Sequence, residues 1–291
     1  MPGVPALVMV LALSACTGAA GTASAPASPT VDPGASPAAS PDTGSIDHAT
    51  GATDVVFRFE EGGGLVPMGF FATEAPVFTL YGDGRVIFDD VAAPMPPDAD
   101  GIGRIRPYWT VTLSEEEIQA FLSAAISDGG LGVAKETFPP IGADMPTSIF
   151  TINAGGASKT VSVTGLGADR GNEPDAPVLR ALARLADRIR GFATEVTDEA
   201  VWVPDRWRGV LTPDTLLPPR AWPWPGIEPA DFVQPEDPNG PRFPIRTMTS
   251  AEVAALGLTD IDGGFSSLAL TAPDGKAYLF ALRPLFPDEN R

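Results

Sequence analysis

Val77-Phe78-Thr79-Leu80-Tyr81-Gly82-Asp83-Gly84-Arg85-Val86-Ile87-Phe88 sets two runs of β-branched, aromatic and aliphatic residues around a Gly-Asp-Gly core. Such side chains suit a pleated, half-buried strand, and an Asp-Gly pair supplies the positive backbone dihedrals of a tight turn. The stretch predicts an antiparallel hairpin with arms Val77–Tyr81 and Arg85–Phe88. Two more hairpins follow the same logic. One pairs Ser148–Asn153 with Lys159–Val163 around Gly155-Gly156, and the other pairs Ser266–Thr271 with Ala277–Leu282, turning at Asp274-Gly275. Tyr108–Thr112 reads as a further strand. Strands joined by tight turns form antiparallel sheets, because parallel neighbours need long crossovers.

Helices are marked by their ends. Ser114 is an N-cap with Glu117 three residues on, Leu113 and Ile118 stand at staple positions, and Gly129-Gly130 provides a stop. Ile118, Phe121, Leu122, Ala125 and Ile126 then share one face. A second helix starts near Pro174 or Pro177, buries Val178, Leu182, Leu185 and Ile189, and ends at Gly191. Thr249 and Glu252 form another capping box, with Met248 and Val253 as the staple. Strand, boxed helix and hairpin therefore occur from about Tyr108 and again from about Phe243. Either two related β-α-β-β lobes are present, or common caps and turns coincide. In both cases the fold class is α+β: antiparallel hairpins with two or three helices.

Cys16 is the chain's one cysteine, and it follows Leu13-Ser14-Ala15 at the end of the apolar run Val4–Leu13. The run suits a signal-peptide core and is too short to span a bilayer. Leu13-Ser14-Ala15-Cys16 resembles the lipobox of bacterial lipoproteins, although no Lys or Arg precedes the run. The resemblance implies that residues 1–15 are removed and that the Cys16 sulfur takes a diacylglyceryl group, with a further acyl chain such as palmitate on the new N-terminus. The protein would then be anchored by lipid at the outer face of the cytoplasmic membrane. From Thr17 to Ala52 the chain is mainly Ala, Ser, Pro, Gly and Thr. Residues 16–53 are accordingly assigned to a lipidated cysteine and disordered tether, with a reach of about 35 Å. His48, the sole histidine, falls within it.

Beyond the tether, the expected organisation is a first α+β lobe over 54–196, an irregular Pro/Trp-rich connector over 197–242 and a smaller lobe over 243–291 packed on the first. The chain carries 19 basic and 37 acidic residues, a net charge of −18. That balance argues against nucleic acid as a partner and against charge-driven binding to an anionic membrane. With Cys16 committed to lipid and His48 in the tether, Ser-His-Asp, Cys-His and histidine-zinc chemistry have no residues to use. G-x-S-x-G, S-x-x-K, G-x-x-x-x-G-K-[ST] and G-x-G-x-x-G are all absent, so no cofactor is expected. Carboxylate chemistry and oxygen-ligated calcium remain.

Four kinds of candidate site stand out. Trp202, Trp207, Trp222 and Trp224 could stack on sugar rings or cap a core beneath a long loop. Arg180, Arg184 and Arg188 recur every fourth residue, as either a strip for an anionic partner or a solvated helix face. Asp98-Ala99-Asp100-Gly101 and Asp260-Ile261-Asp262-Gly263 are faint calcium-loop matches whose default is a polar turn. Arg58 to Gly64 sets three charges against a glycine run, as a binding loop or a bulge and turn.

Gly63-Gly64-Leu65-Val66-Pro67, the Phe78–Val86 phrase and Tyr278–Leu285 are similar to a loosely defined group of uncharacterised extracytoplasmic proteins of GC-rich bacteria. That resemblance implies an envelope location and shared architecture, and transfers no activity. The expected function is a non-enzymatic binding or envelope-assembly lipoprotein, with a cell-wall glycan or envelope protein as partner. The alternative is a carboxylate-dependent hydrolase of wall or extracellular polysaccharide.

Overall fold

A computed structural model describes residues 44–66, 71–97, 100–171, 173–213, 217–236 and 243–290. The stretches assigned to a signal peptide and to the tether as far as residue 43, with Cys16, and also Asp98, lie outside the described residues. In chain order the strands are β1 (Val55–Gly63), β2 (Phe78–Tyr81), β3 (Arg85–Asp89), β4 (Gly103–Arg104), β5 (Tyr108–Thr112), β6 (Pro146–Ala154) and β7 (Ala157–Thr164). They continue as β8 (Ala200–Val201), β9 (Arg206–Pro213), β10 (Arg220–Ala221), β11 (Ile245–Thr249), β12 (Phe265–Thr271) and β13 (Ala277–Pro284). The helices are α1 (Glu115–Ile126), α2 (Ala176–Arg190) and the short α3 (Ser250–Ala254).

The fold is α+β. A seven-stranded antiparallel sheet runs β7-β6-β1-β2-β3-β5-β8, and a six-stranded sheet runs β10-β12-β13-β9-β11 with β4 also on β12. The two-residue β10–β12 pairing is parallel; every other pairing of the second sheet is antiparallel. The opening hairpin forms as expected, with Phe78 opposite Phe88 and Leu80 opposite Val86. Of its Asp-Gly pair, only Gly84 takes a positive φ, at 85°. A side chain there would also meet the Leu113 carbonyl at 2.5 Å.

Both capping boxes form. Ser114 Oγ accepts from the Glu117 N–H and Thr249 Oγ1 from the Glu252 N–H, while each glutamate reaches back to its cap's N–H. The α2 helix begins at Ala176 with Pro177 in its first turn, and Gly191 follows its end. Its buried residues are Ala176, Leu179, Ala181, Leu182, Leu185, Ala186 and Ile189; Val178 packs against the same core but is only partly buried, and Leu179 is buried beside it.

α1 and α2 cover one face of the seven-stranded sheet. Phe121 of α1 lies 5.0 Å from Phe57 and 5.3 Å from Phe78; Phe192, just past α2, lies 4.9 Å from Phe78 and 5.1 Å from Phe88. Such aromatic pairs contribute about 0.5–1.5 kcal/mol each beyond the area they bury. Strand alternation places Ile87 and Tyr81 on the opposite face, where they join Tyr108, Trp202 and Phe286. A strand covered on both sides reads as continuously apolar, which is why all four residues of β2 are buried.

Three expectations need correction. The tether does not extend to residue 53: Ile46 exchanges backbone hydrogen bonds with the Gln119 side chain at 2.7 and 2.9 Å, and His48 bridges Ala154. The body begins at Gly44. These contacts use backbone groups, which composition does not register.

The stretch 197–242 is not an irregular connector. It contributes β8 to the first sheet and β9 to the second, between β13 and β11. Gly209 makes that central position fit, since a Cβ there would sit 2.6 Å from Met248 Sδ and 2.8 Å from the Phe280 ring. Of the Arg58–Gly64 stretch, Arg58 to Gly63 forms no loop, and the expected turn is confined to Gly64, where the chain bends with φ 80°. Arg58 to Gly63 lies inside β1, paired with β6 as far as Gly63 opposite Pro146.

The recurring order strand, boxed helix, hairpin is present as β5-α1-β6-β7 and β11-α3-β12-β13, yet the wiring differs. In the first sheet three strands separate β5 from β6; in the second only β9 separates β11 from β13.

Candidate functional site

α2 presents its polar face beside the loop that leaves β7, and the two enclose a groove of about 350 Å³. Leu166, Ala168, Ala176, Leu179 and Ala183 give it apolar walls, while Arg180 and Arg184 stand over it. Arg170 fixes the loop, donating to the Pro139 carbonyl at 2.7 Å and the Thr164 carbonyl at 3.2 Å. With a side chain only 3% exposed, it is a strut and not a surface charge.

The acids of the groove are already engaged. Asp187 is held by Arg190 at 2.6 Å, and Asp169 accepts the Gly171 N–H at 2.8 Å. Arg180 and Arg184 are not. Neither makes a hydrogen bond or ion pair with another described residue, whereas Arg58, Arg106, Arg190, Arg246 and Arg283 are all held by carboxylates. The expected three-arginine strip is thus divided: Arg188 is bound to Glu195 at 2.9 Å and lies over the Phe121 ring. Arg184 also borders a smaller hollow of about 190 Å³ lined by Asp128, Gly129 and Arg188, which continues the groove toward α1.

The tryptophans do not form a splayed platform. Trp207 and Trp224 lie in the core of the second sheet and Trp202 in the core behind the first. The rings of Trp222 and Trp224 meet edge to face at 5.1 Å, so proline does not hold them apart. Trp222 and Trp224 donate their indole N–H groups to the carbonyls of Ile227 and Glu252, both at 2.7 Å. Only Trp222 is half-exposed.

Asp100 is tied to Arg104 at 3.1 Å and to Arg220 at 3.7 Å. Asp260 takes a left-handed turn conformation at φ 55°. Among the described residues, no group of three His, Cys, Asp or Glu side chains is placed to hold a metal ion.

A second hollow of about 220 Å³ is lined by Glu60, Glu61 and Glu74 with Gly62, Gly63, Thr147 and Ile149. Glu61 is clamped by Arg190 at 2.5 Å and accepts from Ser148 at 3.0 Å. Burial pushes the Glu60 carboxyl above its ordinary range against the pull of Arg58. Burial raises Glu74 as well, opposed by the hydrogen bond it accepts from the Gly63 N–H. Carboxyls raised in this direction within a concave site are the kind that general acid chemistry uses. Glu74 lies eleven residues beyond Gly63, the end of the strand it serves, and has no neighbouring pattern, so nothing in the sequence marks it.

No protein-family model, curated protein or solved structure matches the chain. Among the described residues, no helix is long and apolar enough to cross a membrane.

Proposed function

We propose that this is a lipid-anchored extracytoplasmic protein that works by binding, held at the membrane through Cys16 and taking a carboxylate- or phosphate-bearing envelope partner along α2. The observation that carries the binding reading is the pair Arg180 and Arg184, uncompensated over an apolar-walled groove. A solvent-facing arginine contributes little to stability, so two left unpaired in a concave setting have their main use with something from outside. The net charge of −18 does not cancel them, because screening at physiological ionic strength confines surface charges to about 8 Å. The same overall charge disfavours nucleic acid, whose phosphates extend far beyond two side chains.

The anchor rests on Leu13-Ser14-Ala15-Cys16 and is tested apart from the groove. In cells fed labelled fatty acid, the wild-type protein takes up label and Cys16→Ala does not. Equal labelling of both would remove the anchor. The groove is tested by binding of anionic polymers, with Arg180 and Arg184 replaced.

A second reading is favoured by the raised Glu60 and Glu74: a carboxylate-dependent hydrolase of polysaccharide, with one of the two as general acid. It requires turnover of a glycan substrate that Glu60→Gln or Glu74→Gln abolishes. Hydrolysis that persists in both variants would end it.

A further inference from the structure

A cleft of about 590 Å³ opens where the chain crosses from the seven-stranded to the six-stranded sheet. Thr53, Arg85 and Thr110 form the side belonging to the first sheet. Trp202 and Val203, just past β8, form the floor and lip; Asp205 and Arg206 open β9; Leu285 and Pro287 follow β13. Backbone hydrogen bonds hold these walls in place: Trp202 N–H donates to the Tyr108 carbonyl at 2.8 Å, and Leu285 N–H to the Arg206 carbonyl at 2.9 Å. Junctions of this kind, with a few polar groups on apolar walls, are where small ligands bind.

Two donors at the cleft lack acceptors. Trp202 is only 7% exposed, and its indole N–H makes no hydrogen bond with a described residue, in contrast to Trp222 and Trp224; that N–H is not sealed from solvent, so it is open to an acceptor from outside. Arg85 is the second. Its Nη2 donates to the Ala52 carbonyl at 2.8 Å and its guanidinium lies over the Tyr81 ring at 5.3 Å. Its Nε, however, is buried without a hydrogen-bond partner, and the nearest carboxylate, that of Asp83, is 4.0 Å away. Arg206 adds a cation at the exposed rim.

One buried donor without a partner, Arg85 Nε, and one open indole N–H call for an acceptor, and two guanidinium groups favour an anionic one. The apolar side is supplied by Trp202, Val203, Leu285 and Pro287. We propose that this cleft binds a small carboxylate with an apolar body, its oxygens taking the Trp202 and arginine donors and its body lying against the Val203–Leu285 side. The site is separate from the α2 groove and stands or falls without it.

The test is a titration of the ¹⁵N-labelled full-length chain with hexanoate, and with hexanamide as the uncharged isostere, followed on the tryptophan indole signals. The Trp202 signal is identified by its loss in Trp202→Phe. Hexanoate is expected to shift it saturably, with hexanamide weaker by about tenfold, the size of one charge-assisted hydrogen bond. Arg85→Gln and Arg206→Gln are each expected to weaken hexanoate by a similar factor, and Arg206, at the rim, can be changed without disturbing the core. Three results would overturn the proposal: no saturable shift at tens of millimolar hexanoate, equal response to the amide, or unchanged affinity in both arginine variants.

Discussion

The two sheets solve the same packing problem by different means. The seven-stranded sheet is covered by two full helices, and its core is a lattice of phenylalanines, Phe57, Phe78, Phe88, Phe121 and Phe192, shared between strands and helices. The six-stranded sheet has only the five-residue α3. It closes instead with irregular chain: Trp224, Ile227 and Phe232 pack on Phe280, and Gly209 leaves room for them. Helical cover leaves an outward helix face, which is where Arg180 and Arg184 stand. Cover by loops leaves no such face, and its tryptophans are consumed by the core.

A small ionic assembly joins the halves. Asp288, past β13, receives hydrogen bonds from Arg58 at 2.6 Å and from Tyr81 at 2.7 Å. Glu289 binds Arg283 at 2.5 and 2.9 Å. Burial by itself would raise the Glu289 carboxyl, but the Arg283 bonds and charge outweigh it and hold the group below its ordinary range. Arg208, buried and repelled by Arg283, falls to about 10. The C-terminal turn thus ties the six-stranded sheet to β1 and β2.

The largest effect is expected from Phe121→Ala, which opens a void between α1 and the first sheet and should cost about 3–5 kcal/mol, read as a lower denaturant midpoint. Gly209→Ala probes the other half by overfilling it and should cost about 1–3 kcal/mol. If the ionic assembly couples the halves, both variants unfold in one transition seen alike by tryptophan fluorescence and far-UV dichroism. Two separated transitions would break that coupling and make the halves independent.

A smaller effect distinguishes the two capping boxes. Hydrogen bonding from Arg246, supported by Thr249, holds Glu252 at about 2 against burial, below its unfolded value. Because the folded value is the lower one, the stabilisation is complete above the unfolded value of about 4.5 and is lost as the pH falls from about 5 toward 2. In Arg246→Ala the loss over that window should shrink by on the order of 1 kcal/mol, discounted for the solvent that reaches the pair. An unchanged acid profile would show that Arg246 does not hold Glu252.

What was legible in the sequence was local. Hairpins around Gly84, Gly155-Gly156 and Gly275, and the boxes at Ser114 and Thr249, depend on residues a few positions apart. The β9 strand was hidden because its alternation lasts only from Arg206 to Gly209 before the continuous buried run Gly209-Val210-Leu211, and prolines on both sides imitate a connector; its partners β11 and β13 lie more than thirty residues on. Arg180 and Arg184 were readable as a helix row. The groove beneath them was not, since its other wall is the 165–171 loop pinned by Arg170 to Pro139. The Trp202 cleft is less legible still, being built from five separate segments.

The central claim is that α2 offers its partner an uncompensated arginine pair. It is tested most directly by the affinity of the full-length chain for poly-glutamate and for polyphosphate, before and after Arg180→Ala with Arg184→Ala. Wild-type protein should bind at least one of the two, and the double variant should bind it about tenfold or more weakly with an unchanged thermal midpoint. Absence of binding by the wild type, or equal binding by the variant, would contradict the claim.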